Sequence, residues 1–99
     1  MTDTEELSPE TRVRIAESVY AREFGEEIVL LEFGRGEYFG LDPLGAEVWR
    51  GLERGAALGE IAHEIVARWD VAWDRALRDI QDLVSQMRDE RLIEVEGRS

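Results

Sequence analysis

Between Val13 and Leu41 the apolar residues fall in short runs broken by Gly25, Gly34, Gly36 and Gly40. Short apolar runs with glycine punctuation predict strands, here Val19 to Phe24, Glu27 to Phe33 and Glu37 to Leu41. The connections Gly25-Glu26 and Gly34-Arg35-Gly36 are short enough for hairpins, and glycine supplies the positive φ that such turns require. A three-stranded antiparallel meander is expected. In its middle strand Ile28 and Leu30 share one face while Val29, Leu31 and Phe33 share the other, so both faces are apolar. One face is expected to meet helices. The other needs a cover, and Val13 to Ala16 is the segment expected to supply it.

After Leu41 the apolar period changes from two to 3.6. Asp42-Pro43 reads as a helix start, because a carboxylate caps free N–H groups and proline is tolerated at the first helical position. The spacing of Leu44, Val48 and Leu52, with Trp49 beside them, predicts a helix to about Glu53, and Gly55 is placed to stop it. Leu58, Ile61, Ala62, Ile65, Val66 and Trp69 recur at intervals of three and four and predict a second helix. Ala76, Leu77, Ile80, Leu83, Val84 and Met87 predict a third, from about Trp73 to Glu90. Arg91 to Val95 is expected to close the chain as a short extended segment. The fold class is therefore α+β, a three-stranded antiparallel sheet followed by three helices, packed as two layers.

Composition narrows the function. The 99 residues suffice for one core. Residues 1–11, with Asp3, Glu5, Glu6 and Glu10, are expected to form a disordered acidic tail, and 12–97 the domain. Apolar residues make up 43% of the chain, too many for a disordered protein. Cysteine is absent, which removes disulfides, thiolate nucleophiles and cysteine metal sites. No apolar signal segment or bilayer-length run is present, so a cytoplasmic location is expected. The net charge of −11 opposes binding to a phosphate backbone, so nucleic acid is not an expected partner.

The chemical inventory is thin. His63-Glu64 begins like a zinc-protease helix, but Ala67 occupies the place of the second histidine, and no metal or cofactor site is expected. Gly34-Arg35-Gly36 resembles the start of a phosphate loop, yet Phe39 stands at the third glycine position and a strand follows, so a hairpin is the better reading. No serine or threonine sits in a nucleophile-elbow pattern. Trp49, Trp69 and Trp73 could stack on a ligand, but core packing is preferred for them. No enzymatic activity is expected. What remains is an open sheet edge, Glu37-Tyr38-Phe39-Gly40-Leu41, with no lysine or proline to discourage the addition of another strand.

The run Tyr38-Phe39-Gly40-Leu41-Asp42-Pro43-Leu44-Gly45-Ala46-Glu47-Val48-Trp49 resembles the signature of the PqqD-like family: Tyr, then Leu-Asn, then Gly, then an aliphatic residue followed by Trp. Glu60-Ile61-Ala62, Trp69-Asp70-Val71 and Asp79-Ile80 with Leu83 continue the pattern, so the resemblance spans about Val19 to Val95. Asp42 replaces the commoner Asn, Ala57 stands where Thr or Ser often caps the second helix, and Arg91 stands where Gly often ends the third. The resemblance implies a winged helix-turn-helix-like fold and a non-catalytic role in binding the leader of a ribosomally synthesised precursor peptide. It implies that the leader adds antiparallel to the third strand, in a groove framed by Glu37, Tyr38, Phe39 and Gly40 and by Ala76, Asp79, Ile80, Leu83 and Met87.

A stand-alone member this short is similar to the recognition proteins of lasso-peptide pathways, which present the precursor to a separate leader peptidase, a cysteine protease, and to a cyclase. A member serving a radical enzyme in quinone-cofactor synthesis is the alternative. A winged helix also invites the reading of a DNA-binding regulator, but five acidic and four basic residues from Asp74 to Arg91 make the third helix a poor match for DNA.

Overall fold

A computed structural model describes residues 7–96. Residues 1–6 of the expected tail and residue 97 of the expected domain lie outside the described residues. Eight elements follow in chain order: β1 (Val13–Ile15), β2 (Val19–Phe24), β3 (Glu27–Glu32), β4 (Glu37–Leu41), α1 (Pro43–Glu53), α2 (Leu58–Arg68), α3 (Trp73–Asp89) and β5 (Ile93–Val95). Strands β2, β3 and β4 form the expected antiparallel meander, with Leu30 opposite both Ala21 and Phe39. Gly25 and Gly36 turn the two hairpins at φ of 64° and 68°, which a side chain would resist.

The inner face of the sheet, with Ile28 and Leu30, packs on the helices. Ile28, Leu30, Trp49, Leu52, Leu58, Ile61, Ile65 and Val84 belong to one buried cluster. Helices α1 and α2 approach closely at Gly51, where an added Cβ would lie 2.6 Å from Ile61 Cγ1. The Asp42 carboxylate accepts from the Gly45 N–H at 2.8 Å and caps α1, with Pro43 next to it. At the start of α2, Ala57 has no acceptor to offer. Only the reciprocal half of a capping box is made, with Glu60 accepting from the Ala57 N–H at 2.8 Å.

The expected cover for the outer face is corrected. Val13–Ile15 pairs antiparallel with β5, Val13 opposite Val95 and Ile15 opposite Ile93, in a separate two-stranded sheet. Val13 and Ile93 are both buried in the core, so pairing with β5 satisfies backbone groups and buries apolar area together. Among the described residues nothing covers the outer face of β2, β3 and β4, where Tyr20, Phe33 and Tyr38 are exposed. Residues 7–11, placed in the tail by the sequence, meet the helices: Pro9 and Thr11 carbonyls accept from the Gly59 and Leu58 N–H groups at 2.8 and 3.0 Å, and Leu7 packs against the core.

Helix α3 ends one residue earlier than its apolar period predicts, because Glu90 caps it and Arg91 turns left-handed at φ 64°. A left-handed conformation costs a side-chain-bearing residue about 1–2 kcal/mol, and glycine avoids it. Arg91→Gly is therefore expected to raise stability by about 1 kcal/mol in denaturant unfolding, with the slope unchanged. A neutral or destabilising result would mean that the Arg91 side chain contributes more than its backbone costs.

Candidate functional site

The register of the meander decides which backbone groups β4 offers. The Phe33 N–H donates to the Ser18 carbonyl at 2.9 Å, continuing the β2–β3 ladder, so odd-numbered residues of β3 turn their polar groups toward β2. Ile28, Leu30 and Glu32 then bond to β4, and their partners Leu41, Phe39 and Glu37 point back at β3. Tyr38 and Gly40 are left with N–H and C=O directed outward from the edge.

Beside that edge runs a groove bounded by β4 and α3. One end is a cavity of about 540 Å³ whose lining includes Gly40, Leu41, Leu44, Val48, Ile65, Trp69, Val71, Ala76, Ile80 and Leu83, with Asp42, Asp70 and Asp79 also on it. The other end is a cavity of about 340 Å³, lined by Leu30, Phe39, Gln86, Met87 and Leu92 with Asp89 and Glu90. Gly40, Leu41 and Leu83 line both cavities, which joins them into one trough. An added Cβ on Gly40 would meet nothing within 4 Å, so the edge is unobstructed there.

The trough has an apolar floor and acidic walls, and among the described residues no arginine, histidine, serine or threonine lines it. Among the described residues no cluster of three His, Asp or Glu side chains could hold a metal ion, and His63 sits exposed on α2. What the trough supplies is apolar burial and negative potential beside a row of free backbone groups.

The far end of the trough lies beside the β3–β4 turn, which is bonded to the end of α3. Glu32, buried, accepts from Ser18 Oγ at 2.7 Å, from the Arg35 N–H at 2.8 Å and from the Gly34 N–H at 3.2 Å. Arg35 in turn donates through its guanidinium to the Glu90 carbonyl, one of the free carbonyls at the end of α3. The turn of the hairpin is thereby tied to the end of α3. The Ser18 hydroxyl foremost, then the Arg35 N–H, hold the Glu32 carboxyl below its ordinary value of 4.5, against an opposing effect of burial. A carboxyl with a lowered folded-state pKa stabilises the fold above its ordinary value, and that contribution fades as pH falls from 4.5 through the lowered value. Glu32→Gln is expected to be less stable than the parent at neutral pH, with the gap narrowing below pH 4.5 in thermal melts. A gap that stays constant with pH would remove Glu32 from the account.

The predicted site residues divide into three groups. Tyr38 and Gly40 bring outward backbone groups, Phe39 and Leu83 bring half-buried side chains, and Asp79 brings an exposed carboxylate paired with Arg75 at 3.5 Å. Ala76, Ile80 and Met87 line the trough but are at most 3% exposed, so they serve mainly as its floor. Glu37 lies at the start of β4 and turns its backbone to β3, where Arg35 lies 3.6 Å from its carboxylate. The sequence reading omitted Leu44, Val48, Ile65, Trp69, Asp70 and Val71, which build the larger cavity. Trp69 is half-buried and donates its indole N–H to Glu47 at 3.0 Å, so it is a wall of the trough as well as a packing residue. The Trp69-Asp70-Val71 match to the family pattern was the available signal.

The family model of coenzyme PQQ synthesis protein D (PqqD) matches residues 27–93. Among solved structures, "TbiB1 in Complex with the TbiA(beta) Leader Peptide" is similar at 32% identity and a TM-score of 0.78, over 87% of this chain and 98% of that one. "Lasso peptide synthetase B1 complexed with the leader peptide" is similar at 23% identity and a TM-score of 0.78, over 83% and 96%, a likeness of fold. No curated protein matches the sequence.

Proposed function

The chain belongs to the PqqD family, and from that membership and its likeness to the leader-bound structures we propose that it binds the leader segment of a ribosomally synthesised precursor peptide and presents it for lasso-peptide biosynthesis. The observation that carries this reading is the row of outward N–H and C=O groups at Tyr38 and Gly40 directly above an apolar trough. An extended peptide added there gains backbone hydrogen bonds from the edge and buries every second side chain between β4 and α3. Glu37, Phe39, Ala76, Asp79, Ile80, Leu83 and Met87 complete the site, with Phe39 and Leu83 as its most accessible apolar contacts. The protein contributes no chemistry of its own. A leader peptidase of the cysteine-protease type and a cyclase act on the peptide it holds, in the cytoplasm; no described helix is long and apolar enough to cross a membrane.

The test is a titration against the leader encoded beside this gene. Affinity in the micromolar range or tighter, about −8 kcal/mol, is expected. Leu83→Ala should weaken it by about 1.5–3 kcal/mol while circular dichroism stays unchanged, because Leu83 lines both halves of the trough. The acidic walls should favour a neutral or basic leader and make binding weaken with salt. No binding by the folded parent protein would refute the reading.

A further inference from the structure

Trp69 stands between two cavities. It lines the larger end of the trough, and it also lines a second cavity of about 400 Å³ bordered by α1 and α2, where Pro43, Glu47, Arg50, Arg54 and Arg68 join it. Glu47 lines the second cavity and not the trough. Because the indole N–H donates to Glu47 Oε1 at 3.0 Å, the polar edge of the ring is turned to the second cavity and its apolar part is left to the trough. Glu47 is held in turn. Arg68 Nη1 lies 3.6 Å from its other carboxylate oxygen, and the Glu47 side chain is only 15% exposed.

The backbone at Trp69 is fixed on both sides. Its N–H donates to the Ile65 carbonyl at 2.7 Å and its carbonyl accepts from the Val71 N–H at 2.9 Å as the chain leaves α2 in an extended conformation. Rotation of the side chain is the freedom that remains, and Glu47 restrains it. The restraint matters because of what else lines this end of the trough. Among the described lining residues the other side chains are aliphatic or are the carboxylates of Asp42, Asp70 and Asp79, which accept hydrogen bonds and donate none when ionised. Trp69 therefore carries the one side-chain donor there, and Glu47 takes it up. A peptide side chain bearing an acceptor would enter this cavity without a side-chain partner for it, and an unpaired buried acceptor is costly. An aliphatic side chain meets no such penalty.

We propose that Glu47 is a positioning residue that sets the selectivity of the trough: by occupying the indole N–H of Trp69 from behind, it makes this end accept an apolar side chain and reject one that carries a hydrogen-bond acceptor. For its natural ligand this rests on the leader-binding reading, and the experiment keeps the two apart. Leaders in which one apolar residue at a time is replaced by asparagine or glutamine are titrated against the parent, Glu47→Gln and Glu47→Ala. At the position that enters the cavity, the affinity penalty of the polar leader should shrink on the order of ten-fold in Glu47→Ala, where the N–H is released, and stay near the parent value in Glu47→Gln, which keeps an acceptor oxygen. The indole 15N–H signal of Trp69, assigned by its loss in Trp69→Phe, should move in Glu47→Ala and much less in Glu47→Gln. In a Trp69→Phe background, with no N–H to release, adding Glu47→Ala should leave the penalty unchanged. If Glu47→Ala does not fold, Glu47→Leu removes the acceptor and keeps the volume. A penalty unchanged in the folded variant overturns the proposal, as does one that shrinks equally in the Trp69→Phe background. If no leader binds the folded parent, the earlier reading falls and naphthalene against quinoline, equal in shape but for one acceptor nitrogen, decides this one on the same variants. The parent should prefer naphthalene, and a preference that Glu47→Ala does not reduce overturns the proposal.

Discussion

Tyr38→Pro is expected to lower leader affinity about ten- to hundred-fold while the protein remains folded. The substitution removes an N–H that points away from β3, so the internal ladder loses nothing. The incoming peptide loses one donor and leaves an acceptor unsatisfied, worth about 1–3 kcal/mol. Tyr38→Ala separates backbone from side chain, since it keeps the N–H and should bind much more like the parent. Phe39→Pro is the counterpart: its N–H faces β3, so it should appear first as lost stability of the sheet. Calorimetric titration with circular dichroism on all three variants checks the set. A folded Tyr38→Pro protein with parental affinity would rule out strand addition at this edge.

Trp49→Ala is expected to cost about 3–5 kcal/mol, the largest stability loss of any substitution considered for this chain. The indole is 1% exposed at the heart of the buried cluster and donates to Glu53 at 2.9 Å one turn along α1. Against a total stability of about 5–15 kcal/mol for a domain, that loss is a large fraction, and the melting temperature should drop by on the order of 20 °C. Trp49→Phe keeps most of the apolar volume and should lose far less, which distinguishes packing from the hydrogen bond. A modest effect of the alanine variant would show that the surrounding helices collapse to fill the space.

The amino-acid pattern reveals some parts of this molecule and leaves others unmarked. The three helices and the meander are legible because each is encoded locally: a 3.6-residue apolar period, the Asp42-Pro43 start, and the glycines at 25 and 36 that must take positive φ. The β1–β5 sheet is not, because it joins three-residue strands whose Arg14 and Glu94 stand 80 positions apart, and no local period marks such a pairing. The same gap explains why the sequence points to Val13 to Ala16 as the cover of the outer face. Alternation in β3 reveals that both faces are apolar but carries no information on which is covered. In α3 the apolar stripe identifies a face without giving depth, so Ile80 and Leu83 look alike in sequence while only Leu83 is accessible. The tie from Arg35 to the end of α3 depends on the fold being assembled and leaves no mark in the spacing of residues.

The outward backbone groups of β4 recur at every second residue, and this parity governs how a guest can be positioned. A peptide displaced by one residue would turn each trough-facing side chain to the opposite side, while a displacement of two restores the alternation. Allowed placements are therefore spaced by about 6.8 Å, twice the rise of an antiparallel strand. The edge acts as a ruler graduated in pairs of residues: inserting two residues between the held segment and the bond to be cut preserves how the segment is held and advances that bond by two. Inserting one on the held side forces a choice between the ladder and the trough.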